Sequence, residues 1–513
     1  ETSDARYAEI SREMYSSGDY IHPNFLNIHH YHKPPLTYQI TALGYKLFGI
    51  NTFGARFFLQ ISLIVQTALI FLLSFALFKN KKSSLYASLI YFCFPIILAS
   101  TRTLTTDTFL TTFVILSLYS WVKYRQIGMY RYLYLFSLAL ALGMLTKGPV
   151  VFIVPLSFIL LYNKIEEPKN KLGLHHLQAL LIFMIIGFSW YIYLIIQDNN
   201  LFSYFIIRQT ADRFSKNVFH RYQPFWYFWV YAPLLGLPWS FLFPYLYKQN
   251  KKHITFKSYY FALLIGIVIP LIFFSFSSSK MIFYILPTYS LFAILVAQFF
   301  YNCIYNKKDI LIYKILLSYS LLIGLVFTST LFFPQKMHIP QTICVFGMIC
   351  IILSILIYKT RMIDSNIKSI LLSFVTSILL LISSGYYLSS QENSELKSSK
   401  AVTDFIKINN LRNREILVYN SLMPSIAFAL NKSIISINDG NSKLDREVDF
   451  EKDNTWKEYF INMEQEEGIQ YLKKILIKPS VLIVYKHKLK ENRDWVLSYY
   501  KNKKIINKWT IYW

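Results

Sequence analysis

The residues best suited to chemistry lie in short polar turns between long apolar runs. Asp107 stands in "TLTTDTFL", Lys147 in "GMLTKGPVV" and Lys280 in "SSSKMIFYILP". Lysine and arginine bind phosphate through charge-assisted hydrogen bonds, and a carboxylate can orient an acceptor or take its proton. Such turns could therefore bind an anionic head group and place a transfer reaction beside it.

Two longer polar segments carry the same kinds of residue. The chain begins on "ETSDARYAEI", with Asp4, Arg6 and Tyr7, and "HHYHKPPLTYQ" follows at 29–39. The second segment, 198–225, holds a larger set of charged groups: Arg208, Asp212, Arg213, Lys216, His220 and Arg221. Charges near membrane depth are costly and usually face a cavity. Carboxylates and cations that gather on one face of a membrane protein would therefore indicate a site.

Each feature also has a simpler interpretation. Lys147 and Lys280 could each be an interface anchor whose ammonium extends to the lipid head groups. The aromatic residues of 222–231 could form an interfacial belt. The amphipathic stretches 5–17 and 37–48 could lie on the membrane surface. The set as a whole favours a site, because acidic and basic groups occur together.

Three histidines, His29, His30 and His32, fall within four positions. This arrangement is more typical of a surface or hydrogen-bonding cluster than of a metal site. We therefore assign no metal, and His30 and His32 remain weak candidates for metal ligands.

The composition indicates a membrane protein. Hydrophobic residues make up 54% of the 513 residues, and aromatic residues make up 18%. Runs of 18 or more apolar residues are typical of membrane-spanning helices. The net charge of +25 does not indicate nucleic-acid binding, because the basic residues are spread over short loops. The four cysteines lie in apolar runs and form neither a disulfide framework nor a metal-binding pair.

Twelve apolar spans are predicted: 57–78, 83–101, 107–123, 132–146, 149–162, 177–197, 226–247, 258–278, 281–303, 310–333, 340–358 and 366–389. One alternating set of loops holds 18 lysine and arginine residues, and the short loops of the other set hold four. Basic loops stay in the cytoplasm, so the second set faces outward. The chain does not begin with Met, and we expect a preceding transmembrane helix, for thirteen in total, or a cleaved signal peptide.

This topology divides the chain into three predicted regions. Residues 1–55 form a first outer loop with membrane-surface helices. Residues 56–389 form a transmembrane core with a large outer loop at 198–225. Residues 390–513 combine short β-type runs, such as "REILVYN" and "SVLIVYK", with amphipathic helical stretches, which predicts a small soluble α/β domain on the outer face.

Six motifs resemble one known family. They are, in order, "DARYAEISREMYSSGDYIHPNF", "KPPLTY", "LTTDTFL", "LTKGP", "RFSKNVFHRYQPFWYF" and "YILPTY". This series resembles the bacterial lipid A aminoarabinose transferases and the wider group of protein mannosyltransferase-like enzymes. The resemblance implies the C-type glycosyltransferase fold, thirteen transmembrane helices and a cavity on the periplasmic side. It also implies inverting transfer of a sugar from a polyprenyl-phosphate donor.

The resemblance places the catalytic candidates at Asp4, Asp107 and Lys33. Lys33 matches the lysine that holds the donor phosphate. Asp4 is the first candidate for a general base and Asp107 the second. The family usually has an acidic residue where this chain has Ser3, and often a glutamate where this chain has His32. Asp4 would therefore perform the role of the family's acidic residue from the adjacent position. The histidine at position 32 weakens the inference that this chain has the family's metal site.

Six further residues match substrate-binding positions of the family: Arg6, Tyr7, Lys147, Arg213, Arg221 and Tyr284. The implied function is transfer of a sugar, for example an aminopentose, to lipid A or another cell-envelope acceptor. If the acceptor is a hydroxyl group, a carboxylate is needed as general base. If the acceptor is a lipid A phosphate, it is already ionised and needs no base.

The implied setting is the bacterial inner membrane, with the active site facing the periplasm. The expected partners are the lipid-linked sugar donor, the acceptor glycolipid and the bilayer, without nucleic acid. No cofactor is required, and a divalent metal remains an unsupported alternative. Three other functions stay open: a protein O-mannosyltransferase-like enzyme, a transporter or flippase of lipid-linked sugars, and a structural membrane protein. A transporter would more often show internal inverted repeats.

Overall fold

A computed structural model describes residues 3–212, 223–306, 308–332, 342–391, 399–486 and 489–513. It divides into two compact units. The membrane unit comprises residues 59–387, and the smaller unit combines residues 1–58 with 388–513. The predicted region borders at 55/56 and 389/390 lie within a few residues of the unit borders.

The membrane unit is built from helices. Its first part contains α3 (Thr52–Phe78, which begins in the smaller unit), α4 (Lys81–Phe92), α5 (Pro95–Ser100), α6 (Thr106–Ile127), α7 (Tyr130–Lys147), α8 (Ile153–Ile165), α9 (Leu174–Gln197) and α10 (Asn200–Ser203). A 3₁₀ turn, Pro149–Phe152, precedes α8, and a π-helical segment, Tyr204–Asp212, follows α10. Its second part contains α11 (Tyr227–Leu235), α12 (Trp239–Asn250), α13 (Tyr259–Phe276), α14 (Thr288–Tyr305), α15 (Asp309–Thr328), α16 (Thr342–Lys359) and α17 (Ser365–Gln391, which ends in the smaller unit).

Every predicted span overlaps a helical segment. Seven helical segments in the described part of the chain are long and apolar enough to cross a membrane. They are Thr52–Phe78, Leu174–Gln197, Tyr259–Phe276, Thr288–Tyr305, Asp309–Phe332, Thr342–Lys359 and Ser365–Tyr387. The predicted spans 83–101 and 226–247 are each divided into two helices, at Pro95 and at Pro238. Proline explains these breaks, because it has no amide hydrogen and its ring clashes with the preceding turn of a helix.

The core of the membrane unit is aromatic and aliphatic. Its largest fully buried side chains include Trp239, Phe158, Phe299 and Phe300. Many side chains on other helix faces are exposed, such as Ile185 of α9, which is 69% exposed. Exposed apolar faces of this kind suit a lipid environment, and they agree with the prediction of a multi-pass membrane protein.

The smaller unit begins with α1 (Ser3–Ser17), the short strands β1 (Asn24–Phe25) and β2 (Ile28–His29), and α2 (Leu36–Phe48). After α17 it continues with α18 (Lys400–Ile408), β3 (Glu415–Tyr419), α19 (Pro424–Leu430), β4 (Ile435–Asn438), α20 (Ser442–Asp445), β5 (Phe460–Asn462), α21 (Glu466–Leu476), β6 (Ser480–Tyr485), β7 (Lys503–Ile506) and β8 (Trp509–Tyr512).

Six of these strands form one mixed sheet, in the order β5-β4-β3-β6-β8-β7. Strands β5, β4, β3 and β6 are parallel, and β8 pairs antiparallel with β6 and β7. Leu417 of β3 pairs with Ile435 of β4 and Leu482 of β6. The parallel strands are buried apolar runs because helices cover such sheets. The predicted α/β character of this part of the chain is therefore confirmed.

The first loop and the carboxy-terminal domain share one hydrophobic core, which the sequence analysis did not foresee. Ile10 and Met14 of α1 lie in the same buried cluster as Ile426 and Ala427 of α19. The amphipathic stretch 5–17 therefore forms a helix that buries its apolar face within this unit. The other predicted stretch, 37–48, corresponds to α2.

A close backbone contact joins α2 to the start of α3. A Cβ atom added to Gly44 would lie 2.2 Å from the carbonyl oxygen of Gly54. Only glycine permits this approach, and it fixes the turn that connects the first loop to the first described apolar helix.

Candidate functional site

Three predicted site residues from separate motifs meet in the membrane unit. The Lys147 ammonium contacts the Asp107 carboxylate, and both side chains are more than 90% buried. The Lys147 Nζ atom also lies 4.4 Å from the centroid of the Tyr284 ring, in cation–π geometry. We call these three residues the Asp107 cluster.

Helix ends position the Asp107 cluster. Asp107 lies in the first turn of α6, where Thr105 caps the helix and its hydroxyl accepts a hydrogen bond from the Asp107 amide. Lys147 is the last residue of α7, and Gly148 ends that helix with a φ of +83°. A helix dipole stabilises a carboxylate at its amino end and a cation at its carboxyl end. Both charges therefore stand where their helices favour them.

In the Asp107 cluster the Lys147 ammonium is a buried positive group, and the Asp107 carboxylate partly neutralises its charge. In a medium of low dielectric, such a cation interacts strongly with an anionic ligand that reaches it. The carboxylate is held in one orientation by its contact with Lys147. The cluster could therefore bind and orient a charged or hydroxyl-rich ligand.

Lys280 has a different environment. Its ammonium donates to the carbonyl oxygens of Gln223, at 2.8 Å, and Ser277, at 2.6 Å. Only 5% of the residue is exposed. The Lys280 ammonium is thus held by backbone carbonyl groups in the segment before α14. An interface anchor would instead extend its ammonium to the lipid head groups.

A second group of predicted residues lies in the smaller unit, around Glu447. Its Oε1 atom is 4.0 Å from Arg6, and its Oε2 atom is 3.5 Å from His30 Nδ1 and 3.8 Å from His32 Nε2. Lys33 is near enough for its charge to affect His30. We call Arg6, His30, His32 and Glu447 the Glu447 cluster.

Aromatic rings support this second cluster. The Arg6 guanidinium lies 4.8 Å from the centroid of the Phe25 ring, and the rings of His30 and His32 are 4.4 Å apart and nearly perpendicular. Tyr7 stacks on Tyr38 at 5.4 Å. Arg6 and Tyr7 are thus both fixed by contacts of α1 with other parts of the smaller unit.

Burial and charge act in opposite directions on the Glu447 cluster. Burial would raise the pKa of Glu447, but the nearby imidazole of His30, followed by the charges of Arg6 and His32, holds that pKa well below its usual range. Burial lowers the pKa of His30 more than Glu447 raises it. The cluster therefore combines an ionised carboxylate with an imidazole that favours its neutral form.

Asp4 and Lys33, the remaining predicted catalytic residues of the smaller unit, occupy different settings. The Asp4 carboxylate contacts the Arg56 guanidinium at the start of α3. Lys33 is half-buried in the turn that leads into α2. The side chain of Ser3 is outside the described part of the chain, as are Arg213 and Arg221.

Sequence reasoning missed two charged partners. Arg56 could have been found, because a charge at the edge of an apolar span is uncommon and suggests a partner. Glu447 gave no such signal, since it lies in a charged part of the chain more than 400 positions from His30. Only the fold of the smaller unit brings the two together.

The fold and the predicted residues define a class of protein: a multi-pass membrane protein with the C-type glycosyltransferase fold and a small α/β domain. The structure of ArnT from Cupriavidus metallidurans bound to undecaprenyl phosphate superimposes with a TM-score of 0.79, over 100% of this chain and 93% of that chain, at 17% identity. The apo form of the same protein gives a TM-score of 0.76. The predicted fold class is therefore confirmed.

Sequence similarity identifies more specific relatives within this class of protein. Residues 32–193 match the family described as dolichyl-phosphate-mannose-protein mannosyltransferase. The undecaprenyl phosphate-alpha-4-amino-4-deoxy-L-arabinose arabinosyl transferase of Aeromonas hydrophila is 30% identical over 57% of this chain. An uncharacterized protein of Aquifex aeolicus is 29% identical, also over 57% of this chain. The chain matches 54% and 58% of these relatives' lengths, little more than half. The resemblance predicted from the motifs is confirmed.

Proposed function

We propose that this protein is an integral membrane glycosyltransferase. It would transfer a sugar, with an aminopentose as the first candidate, from a polyprenyl-phosphate donor to lipid A or another cell-envelope acceptor. The observation that carries the proposal is the Asp107 cluster, in which three residues matched to one family's motifs come together. The arabinosyl transferases among the relatives support the choice of donor and sugar.

The proposed reaction breaks the bond between the anomeric carbon and the phosphate oxygen. The acceptor oxygen forms a new bond to the same carbon from the opposite face, and polyprenyl phosphate leaves with the electron pair. Lys33, together with Arg213 or Arg221, would stabilise the negative charge that develops on the phosphate. Arg6, Tyr7, Lys147 and Tyr284 would bind the substrates.

The proton balance depends on the acceptor. A hydroxyl acceptor must give up its proton, and Asp4 or Asp107 would take it. An acceptor phosphate is already ionised and transfers no proton. The donor carries its own activated bond, so this step requires no cofactor.

We further propose that the site faces the periplasm in the bacterial inner membrane. The excess of basic residues in the alternate set of loops supports this orientation. The donor is then a lipid in the same membrane, and no nucleotide sugar or nucleic acid is needed as a partner.

The test is a transfer assay with the purified protein in liposomes. Undecaprenyl-phosphate donors carrying aminoarabinose or mannose are each offered with lipid A or an acceptor peptide, and products are measured by mass spectrometry. We expect a glycosylated lipid A, and Lys147→Met should reduce its formation at least tenfold. Lys252→Met, a change at an exposed lysine, is the control.

The outcomes separate the alternatives. Glycosylated peptide would instead indicate a mannosyltransferase-like enzyme. Movement of the labelled donor between leaflets without any product would indicate a flippase. Full activity of Lys147→Met would refute the assignment of the Asp107 cluster.

A further inference from the structure

A cavity of about 290 Å³ lies in the smaller unit, between α21 and the 3₁₀ segment Glu491–Tyr499. We call it the Trp495 cavity. Both elements pack on the same face of the sheet, because Leu472 and Val496 belong to one buried cluster with Leu482 of β6. The residues that line the cavity are Ile469, Lys473, Arg493, Trp495, Ser498 and Tyr499. Its volume is just below the range of about 300–1,000 Å³ that is usual for ligand sites, so it suits one sugar-sized unit.

The polar groups of the Trp495 cavity are mainly hydrogen-bond donors. Arg493 donates from Nε and Nη2 to Asp439 Oδ1, at 3.3 Å and 3.2 Å, and from Nη2 to the Met463 carbonyl oxygen, at 2.6 Å. Its Nη1 atom has no acceptor among the residues that the structure describes, and the same holds there for the Lys473 ammonium and the Trp495 indole N–H. No lining residue is acidic. A surface of this kind is complementary to an anion.

The two cations of the cavity are partly oriented before a ligand arrives. The Arg493 side chain is only 13% exposed, and its contacts with Asp439 and the Met463 carbonyl oxygen engage two of its three guanidinium nitrogens. Because the guanidinium is a rigid planar fork, these contacts also fix the direction of the third nitrogen. The Lys473 Nζ atom lies 5.4 Å from the centroid of the Trp495 ring, in cation–π geometry. Less ordering is therefore needed on binding.

The cavity also offers groups that suit a sugar ring. The Ser498 hydroxyl donates to the Trp495 carbonyl oxygen at 2.7 Å, so its own oxygen can still accept a hydrogen bond from a ligand hydroxyl. The rings of Trp495 and Tyr499 are 6.4 Å apart with an angle of 76° between their planes, and Tyr499 is 43% exposed. Such side chains combine apolar ring faces with a polar edge, which matches the C–H faces and hydroxyl groups of a pyranose.

We propose that the Trp495 cavity binds a sugar unit that carries a phosphate group. Arg493 and Lys473 would hold the phosphate through charge-assisted hydrogen bonds. Trp495 and Tyr499 would contact the ring, and Ser498 would accept from a hydroxyl. This binding is additional to the proposed sugar transfer and does not depend on it, because no lining residue belongs to the Asp107 cluster or to the six motifs. A free sugar phosphate and the phosphorylated head group of a glycolipid offer the same chemistry.

The proposal can be tested by calorimetric titration of the full chain in detergent. The probes are glucosamine 1-phosphate, glucosamine and inorganic phosphate. We expect the sugar phosphate to bind at least about tenfold more tightly than either of its parts, because only it uses both the cations and the aromatic rings. Lys473→Ala should weaken its binding by about tenfold through loss of a charge-assisted hydrogen bond. Trp495→Phe keeps an aromatic ring but loses the indole N–H, and it should weaken binding by about fivefold.

Lys474→Ala is the matched control. Lys474 is the next residue of α21 and is also exposed, but it does not line the Trp495 cavity. This variant should bind glucosamine 1-phosphate as the unchanged protein does. Melting temperatures show whether each variant folds, and Lys473→Ala should fold because Lys473 is exposed. Transfer activity is measured in parallel, so a failure of the proposed function would be seen separately from a failure of this site.

A second probe, lipid A in mixed micelles, distinguishes the two sources of the ligand. An affinity for lipid A that depends on Lys473 and exceeds that for glucosamine 1-phosphate by at least about tenfold would identify a glycolipid head group. Equal affinities would identify a free sugar phosphate.

Two results would overturn the proposal. One is that folded Lys473→Ala and Trp495→Phe proteins bind glucosamine 1-phosphate as tightly as the unchanged protein, since any binding would then lie elsewhere. The other is that glucosamine 1-phosphate binds no more tightly than inorganic phosphate, in which case the cavity does not recognise a sugar.

Discussion

Removing one charge of the Asp107–Lys147 pair should cost far more stability than removing both. The two side chains are 7% and 8% exposed, so Lys147→Met leaves the Asp107 carboxylate buried without its cation partner. Breaking a buried pair in this way typically costs about 3–5 kcal/mol. Loss of the cation–π contact with Tyr284 adds about 0.5–2 kcal/mol.

The double variant Asp107→Asn/Lys147→Met carries neither charge. Replacing both members of a buried pair is often close to neutral, so its cost should be about 1–2 kcal/mol. The summed costs of the single variants Lys147→Met and Asp107→Asn, each of which leaves one buried charge unpaired, would then exceed the cost of the double variant. The difference is a coupling free energy of at least about 3 kcal/mol. A coupling of this size is measurable, since independent sites add to within about 0.5 kcal/mol.

The assay is reversible unfolding of the purified protein in mixed micelles, for the unchanged protein, both single variants and the double variant. Transfer activity is measured on the same samples. We expect the double variant to be stable but inactive, which would separate catalysis from stability. Additive costs, with a coupling below about 0.5 kcal/mol, would show that the pair does not act as a unit and would refute this reasoning.

Three further predictions concern the smaller unit. Arg12→Met should destabilise it by about 3–5 kcal/mol in unfolding measurements, because the fully buried Glu9 loses its two-bond partner. Burial opposes the ionisation of Asp439, but hydrogen bonds from a tyrosine and an arginine outweigh it and lower the pKa below 3.8. The stability that Asp439 contributes is therefore complete above the pKa of this aspartate in the unfolded chain, and it is lost as the pH falls through the lower pKa of the folded state. Asp439→Asn should flatten the dependence of the melting temperature on pH across that acidic range. Gly44→Ala should cost about 1–3 kcal/mol, because its Cβ would collide with the backbone of Gly54.

The positions of the apolar helices could be predicted because lipid permits few alternatives. Backbone groups in a bilayer must be satisfied within the segment, so each long apolar run has to be a helix. The predicted turn between 132–146 and 149–162 agrees with the end of α7 at Lys147 and the glycine that follows it. Both broken spans have a proline at the break, Pro95 and Pro238, but Pro233, Pro244 and Pro270 lie inside helices that continue past them, so proline alone did not locate the breaks.

The shared core of the smaller unit could not be predicted in the same way. The apolar face of α1 is compatible with a membrane surface and with a protein core, and the local pattern does not distinguish them. Ile10 lies in the same buried cluster as Ile426, which is more than 400 positions away in the sequence. Glu447 could not be predicted as a partner for the same reason, since it is equally far in sequence from Arg6, His30 and His32. Those three residues lie in segments that the motifs had already identified as candidates.

The pairing of the candidate carboxylates bears on which acceptor the proposed enzyme uses. Asp4 contacts Arg56, and Asp107 contacts Lys147. A carboxylate that is already bound to a cation must share or release that partner before it takes a proton from an acceptor. Both candidates for the general base are thus engaged in charge pairs, and such pairs suit orientation of a substrate better than removal of its proton. The arrangement favours an acceptor phosphate, which needs no base, over an acceptor hydroxyl.

This preference can be tested with lipid A and lipid A treated with a phosphatase. We expect transfer to the phosphorylated acceptor and a loss of at least about tenfold on the dephosphorylated one. A general base typically contributes 10²–10⁴-fold, so Asp4→Asn should retain much more activity than loss of such a group would allow. Equal transfer to both acceptors, with activity of Asp4→Asn reduced by about 10²-fold or more, would instead identify a hydroxyl acceptor and a base at Asp4.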